Sequence, residues 1–289
     1  MIVDAHHHLW DLDCNRYPWL QAELDPEALI GDYAPLRQSY LAGDYLEDAE
    51  PARIVHSVHV QAEWDPADPV GETRWLQAVA DRHGFPHGIV AAARLQDPHV
   101  EGVLEAHLAF ANMRGIRQML DRGEGLDLLG RADWERGLTR LVAHGLSFDL
   151  QINPDQLVAA AGLAQRHPEL VFVLNHCGMP RERSPAALEL WRTGLHRLAD
   201  QPNVTAKVSG LGMFDHNWSV DSIRPYVNEM FNAFGPGRCM FGSNFPVDRL
   251  YSSYSALVEA YARLTETLSA DERRAFFYDN AVRVYRLLS

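Results

Sequence analysis

Short apolar runs alternate along the chain with longer amphipathic stretches, and this alternation occurs eight times. The apolar runs predict eight strands, at residues 2–8, 54–61, 88–93, 115–119, 146–151, 170–175, 204–208 and 239–243. The amphipathic stretches predict helices at about 35–42, 69–81, 98–112, 131–143, 154–167, 185–199, 219–234, 252–267 and 270–287. Eight strands that each lead into a helical stretch favour an α/β fold, a single (β/α)₈ TIM barrel.

An open, doubly wound α/β sheet is the competing architecture. Such a sheet usually carries a glycine-rich phosphate loop after an early strand, and neither GxGxxG nor GxxxxGK[ST] occurs in this chain. No linker or internal repeat divides the 289 residues, which suits one barrel domain over residues 1–289. The barrel has two additions, a long insertion at 10–52 after the first strand and an extra helix at the C-terminus.

Polar residues follow the predicted strands at the end where a barrel carries its chemistry. His6 and His8 close the first strand, and their spacing of two aims both imidazoles the same way. The other strand ends supply Gln61 and Glu63, Arg94, Arg117, Gln151, His176, Ser209, and finally Asn244 with Asp248. We therefore expect an active site at this face.

Charge and composition exclude several classes of partner. The formal charge is −13 and no basic cluster is present, which argues against nucleic acid and anionic membranes. No apolar run approaches the roughly 18 residues that span a bilayer, and the start lacks the cationic and apolar regions of a signal peptide. Three widely spaced cysteines suit reduced thiols. We expect a cytoplasmic protein with a small-molecule substrate, and a homodimer stays open.

Three motifs in order give the chain a family resemblance over essentially its whole length. They are Asp-Ala-His-His-His at 4–8, Asn-His-Cys-Gly at 175–178 and Phe-Gly-Ser-Asn-Phe-Pro-Val at 241–247. Together they resemble the amidohydrolase superfamily, and within it the amidohydrolase-related branch of sugar lactonases and 2-pyrone-4,6-dicarboxylate lactonase. The resemblance implies a (β/α)₈ barrel that hydrolyses an ester or amide bond.

The resemblance also assigns residues. His6 and His8 match the family's strand-one pair and His176 its strand-six histidine, whereas Asn244 stands where many members carry an aspartate. An amide is no general base, so either Asp248 supplies the carboxylate or Asn244 orients water while a histidine moves the proton. Arg117 occupies the region of the strand-four lysine, which argues against a bridged binuclear metal centre.

The expected chemistry has two forms. In one, His6, His8 and His176 hold a single divalent metal, Zn²⁺ or Mn²⁺. In the other no metal is required, and one imidazole acts with Arg117 on the oxyanion. In both, we predict Asp248 as the base and Asn244 as the residue that positions the water.

Substrate contacts are predicted from donors and aromatic rings near the strand ends. Arg94, Arg117 and Gln151 offer hydrogen-bond donors, and Glu63 can either accept from substrate hydroxyls or brace His8. Trp10 and Trp64 can stack against a sugar face, whereas Trp19 is better explained by loop packing. Lys207, inside strand seven, belongs either to a polar layer of the barrel interior or to the substrate site.

The leading functional hypothesis is a lactonase that opens an aldonolactone, such as a fucono- or rhamnono-lactone, to the sugar acid. A metal-dependent decarboxylase is the second, because relatives in the superfamily use a similar histidine set. A degenerate sugar-acid binder is the third, suggested by Asn244 in place of aspartate.

Overall fold

The computed structural model describes residues 1–287 and contains one eight-stranded sheet. Its strands are β1 Ile2–His7, β2 Ile54–Val60, β3 Gly88–Ala92, β4 Met113–Met119, β5 Ser147–Gln151, β6 Phe172–Leu174, β7 Val204–Val208 and β8 Cys239–Phe241. Each strand pairs in parallel with the next one in the chain. The prediction of a (β/α)₈ barrel is confirmed, and every predicted strand is present within a few residues of its expected bounds.

Helices surround this sheet. They are α1 Pro18–Gln21, α2 Ala42–Ala49, α3 Gly71–His83, α4 Val100–Leu108, α5 Ala132–Ala143, α6 Leu157–Arg166, α7 Pro185–Ala199, α8 Val220–Phe234, α9 Tyr254–Leu264, α10 Ala270–Arg274 and α11 Asn280–Tyr285. Within residues 1–287, none of these helices has the length and apolar character needed to cross a membrane.

Two predicted helices are wrong in detail. The helix expected at 35–42 is a single 3₁₀ turn, Ala34–Leu36, and α2 begins only at Ala42. The start of α2 is set by Asp44, whose carboxylate accepts a hydrogen bond from the Leu41 amide at 2.8 Å. The helix expected at 270–287 is divided into α10 and α11 by a π-helical turn, Ala275–Asp279.

The barrel closes between β1 and the segment that follows β8. Two backbone hydrogen bonds of 2.7 Å join these segments. The backbone N–H of Asn244 donates to the His6 carbonyl, and the backbone N–H of His8 donates to the Phe245 carbonyl. The buried Asp4 carboxylate reinforces this seam, since it accepts from the Ser243 amide at 2.8 Å and from the Ser243 hydroxyl at 2.6 Å. The seam therefore fixes the backbone of the two motifs that carry histidine and asparagine.

The barrel interior is apolar at its N-terminal end and polar above it. Valines from β1, β2, β3 and β6 fill the lower part, where α11 inserts Val284 and Tyr285. Above them lies an ion pair between Lys207 of β7 and Asp149 of β5, with an Nζ–Oδ2 distance of 2.6 Å and no solvent exposure. Of the two predicted placements for Lys207, the structure shows the interior polar layer.

Candidate active site

A cavity of about 580 Å³ opens at the C-terminal ends of the strands. Six of the predicted site residues from the strand ends line it: His8, Glu63, Arg117, Gln151, His176 and Asn244. Residues 25–33 of the insertion after β1 form the opposite wall, together with Trp10 and Trp19. The cavity thus lies where a barrel enzyme binds its substrate.

A β-bulge in β1 aims the two histidines into the barrel. Asp4 pairs with Ser57 and His7 pairs with His59, so β1 has one more residue than β2 in the same interval. The bulge lets His6 and His8 face the interior while His7 turns outward and stacks on Tyr45, with ring centroids 4.1 Å apart.

Three imidazoles cluster at the inner end of the site, where His8 and His176 line the cavity and His6 is fully buried beside them. The ring of His6 lies 5.0 Å from that of His8 and 4.4 Å from that of His176, measured between centroids. Burial lowers the pKa of all three well below the ordinary histidine value, and the cations of Arg117 and Lys207 lower the pKa of His176 further. The three rings are therefore neutral near pH 7.

The hydrogen bond of His8 settles which of its nitrogens carries the proton. His8 Nδ1 lies 2.7 Å from the Val60 carbonyl oxygen, which can only accept. The proton is thus on Nδ1, and Nε2 keeps a free lone pair at the cavity. His176 Nδ1 lies 3.0 Å from the Ser209 hydroxyl, a group that both donates and accepts.

Arg117 places a cation beside these rings. Its guanidinium donates to Gln151 Oε1 at 2.8 Å and to the Gln61 carbonyl oxygen, which leaves the remaining N–H groups without a protein partner among the bonds described. Burial lowers the pKa of Arg117 to about 10, so the side chain stays charged near neutrality. Because Gln151 accepts through its oxygen, its amide hydrogens are free to donate into the cavity.

Asn244 and Asp248 form a buried pair. Asn244 Nδ2 donates to Asp248 Oδ2 at 2.5 Å, and the Gly212 amide donates to Asp248 Oδ1 at 3.1 Å. Burial raises the pKa of Asp248 to about 7, although the bond from Asn244 lowers it. Asn244 lines the cavity and Asp248 does not, so the carboxylate that we predicted as the base lies one side chain behind the site.

Two predicted substrate contacts lie outside this cavity. The Arg94 side chain is 62% exposed and pairs with Glu124, because β3 ends before it and the following turn carries it outward. Trp64 packs against Tyr17 and Trp75 and is absent from the cavity wall. Trp10 and Glu63, in contrast, line the cavity.

The structure adds five charged residues that the sequence analysis missed, of which Asp25 and Glu27 lie in the insertion after β1. Asp121 Oδ2 pairs with Arg181 at 2.8 Å, and Arg122 pairs with Glu63 at 2.5 Å; all four residues line the cavity. Asp121 and Arg122 follow β4 almost directly, so the strand-end rule that identified the other residues could have found them.

A metal centre requires several ligating side chains that converge on one point. Within residues 1–287, no group of three or more His, Cys, Asp or Glu side chains is arranged to hold a metal ion. The three rings lie together as predicted, yet they are not arranged as a three-ligand centre, and the nearest charged groups are the cations Arg117 and Lys207. The residues as placed do not fit a metal held by the three histidines.

The sequence model described as Amidohydrolase matches residues 3–287 of the chain. The chain belongs to the amidohydrolase family. The predictions of family and of a hydrolase-class enzyme are thereby confirmed.

Named relatives cover the whole length of this amidohydrolase. An uncharacterised protein of Sinorhizobium fredii is 45% identical over 99% of this chain and 98% of its own. L-fucono-1,5-lactonase of Burkholderia ambifaria is 28% identical over 99% of this chain and 95% of its own. A crystal structure of an amidohydrolase from Burkholderia multivorans with bound HEPES superposes with a TM-score of 0.86 at 29% identity, covering 100% of both chains. A second crystal form of the Burkholderia multivorans amidohydrolase contains zinc.

Proposed function

We propose that this amidohydrolase opens an aldonolactone to its sugar acid by attack of water on the lactone carbonyl. The observation that carries the proposal is the cavity itself, in which a neutral imidazole with a free lone pair and a buried guanidinium line one wall. A lactone needs a base for the attacking water and a positive group for the developing oxyanion. The similarity to an L-fucono-1,5-lactonase supports the sugar lactone as substrate.

The proposed steps use His8 as the base and Arg117 as the donor to the oxyanion. The water oxygen forms a bond to the carbonyl carbon while its proton moves to His8 Nε2. Arg117 donates to the carbonyl oxygen as charge develops there, which is the interaction that strengthens in the transition state. The ring C–O bond then breaks, and the proton on His8 passes to the departing alkoxide. The carboxylic acid that forms ionises in water, so each turnover releases one proton.

Asn244 positions the water in this scheme. Its Nδ2 is committed to Asp248, which turns Oδ1 away from that carboxylate, and within residues 1–287 no protein group is found donating to Oδ1. The oxygen is free to accept from the water that His8 deprotonates. Asp248 therefore acts through Asn244, as a positioning residue.

The outer wall of the cavity suits a polyhydroxylated ring. Asp121 is 1% exposed at its side chain, and its Oδ1 has no partner, while Oδ2 is held by Arg181. A buried carboxylate oxygen of this kind is satisfied by a substrate hydroxyl. Trp10 and Trp19 add apolar faces at the same cavity, which suits the C–H side of a sugar ring.

The test is a panel of aldonolactones that includes L-fucono-1,5-lactone, followed with a pH indicator and a reaction without protein as control. We expect acid release from at least one lactone with the stereochemistry of a deoxysugar acid. The release should persist after treatment with chelator and removal of metal. Absence of acid release across the panel would contradict the proposed function.

The pH dependence isolates the Asn244–Asp248 pair. Because the folded-state pKa of Asp248 is raised to about 7, the carboxylate accepts from Asn244 above that pH. Below it, the protonated acid becomes a donor and competes for Asn244 Oδ1. We expect kcat to fall as the pH drops through about 7, and we expect this fall to be absent in Asp248→Asn. If the variant shows the same fall in kcat, the titrating group is a different residue.

Asp121 gives a test of substrate recognition. Asp121→Asn keeps the shape of the side chain but removes the charge that pairs with Arg181 and weakens acceptance from a hydroxyl. We expect KM to rise roughly 10-fold, the effect of about 1.4 kcal/mol, with kcat changed less. Steady-state kinetics with the best lactone measure both constants, and a fall in kcat alone would place Asp121 in the chemical step instead.

A further inference from the structure

The buried ion pair of Lys207 and Asp149 lies beneath the cavity, and its lysine contacts His6. Lys207 Nζ lies 2.6 Å from Asp149 Oδ2 and 3.4 Å from His6 Nδ1. It also lies 5.1 Å from the centroid of the Tyr285 ring, over its face. The Tyr285 hydroxyl donates to the two Asp149 oxygens at 3.0 and 3.1 Å.

These contacts define the charge state of the layer. Asp149 accepts hydrogen bonds from both Tyr285 and Lys207. Burial lowers the pKa of Lys207, and the Asp149 carboxylate at 2.6 Å, with neither side chain exposed, opposes that shift and stabilises the ammonium form. The aromatic face of Tyr285 favours the same cation.

An ammonium group has three N–H donors and no lone pair. The contact between Lys207 and His6 Nδ1 is therefore a hydrogen bond in which Lys207 donates and Nδ1 accepts. In a neutral imidazole one nitrogen donates and the other accepts, so the proton of His6 is on Nε2. His6 Nε2 is buried and has no protein partner.

We infer that Lys207 fixes His6 as an Nε2–H donor and thereby excludes it as a metal ligand in this chain. Ligation through Nε2 requires a lone pair there, which would put the proton on Nδ1, facing the Lys207 ammonium. His8 has the opposite tautomer because Val60 accepts from its Nδ1. The two histidines of the first motif are thus one donor and one acceptor.

This division gives His6 a role in the proposed reaction, and that role rests on the proposed function. The Nε2–H of His6 lies beside the rings of His8 and His176 and is available to donate to an oxygen bound between the three rings. Lys207 is a positioning residue that acts through His6. The tautomer itself depends only on the contacts below the cavity and can be tested without a substrate.

The first experiment is NMR of the ring nitrogens in protein labelled with ¹⁵N-histidine, with His6 assigned by comparison with His6→Gln. We expect a protonated Nε2 and an unprotonated Nδ1 for His6, and the reverse for His8. A protonated Nδ1 on His6 would overturn the inference whether or not the protein hydrolyses lactones. The measurement uses the native chain, so it does not depend on a variant that folds.

The second experiment is calorimetric titration with Zn²⁺ alone. Lys207→Met leaves Asp149 buried without its cation, so Lys207→Met/Asp149→Asn, which removes both charges at similar volume, serves as the companion variant. We expect the double variant to bind Zn²⁺ at least 10-fold more tightly than the native chain, and His6→Gln to reverse that gain. Equal Zn²⁺ affinity of the native chain and the folded double variant would overturn the inference.

Discussion

His8→Gln is expected to lower kcat for the best lactone by about 10²- to 10⁴-fold, the contribution of a positioned general base. Glutamine keeps a side chain that can donate to the Val60 carbonyl, so the fold of β1 is retained. It has no basic nitrogen at the position of His8 Nε2, so the attacking water loses its proton acceptor. KM should change by only a few fold, because the substrate contacts lie elsewhere in the cavity.

The matched control is His196→Gln, since His196 is an exposed histidine that pairs with Glu229 on the surface. This variant should keep native kinetics. Stopped-flow or indicator assays of kcat and KM for both variants measure the difference. A His8→Gln enzyme with native kcat would remove His8 as the base and return that role to another group of the site.

Arg117→Met is expected to lower kcat/KM by about 10²- to 10³-fold, the usual effect of losing one donor to an oxyanion. Methionine retains the length and volume of the side chain but has no N–H to offer. The guanidinium also holds Gln151 at 2.8 Å, so its loss frees a neighbouring substrate contact and should raise KM as well. We expect both kcat and substrate binding to weaken.

Arg94→Met is the matched control for this change. Like Arg117 of β4, Arg94 is an arginine near the C-terminal end of a barrel strand, β3. The side chain of Arg94, however, is exposed and pairs with Glu124 outside the cavity. Native kinetics in Arg94→Met and impaired kinetics in Arg117→Met would support the site as the structure defines it. Equal losses in both variants would mean that substrate reaches beyond the cavity.

The sequence predicted the architecture well because the barrel depends on a repeated local pattern. Apolar runs such as Phe172–Leu174 and amphipathic stretches such as Pro185–Ala199 carry their own periodicity. The strand-end rule then located His8, Arg117 and Gln151, since parallel strands of a barrel all end at one face. These properties follow from neighbours along the chain and from the general geometry of the fold.

Other features depend on contacts between distant residues. The tautomer of His8 depends on its hydrogen bond to the Val60 carbonyl. The position of Asp248 behind Asn244 depends on the 3₁₀ turn Val247–Leu250, which carries Asp248. Whether Arg94 and Trp64 reach the cavity depends on the direction that the chain takes in the loops after β3 and β2. No spacing in the sequence encodes these outcomes, so the position of Asp248 behind Asn244 could not be predicted from the sequence.

The measurement that tests the central claim most directly follows the carbonyl carbon. L-Fucono-1,5-lactone labelled with ¹³C at the carbonyl is incubated with metal-free protein in water enriched in ¹⁸O, and the carbon is observed by NMR against a reaction without protein. The account predicts that the label moves from lactone to carboxylate faster than in the control and shows the isotope shift of one incorporated ¹⁸O. Label that stays in the lactone at the control rate, or that appears as bicarbonate, would contradict it.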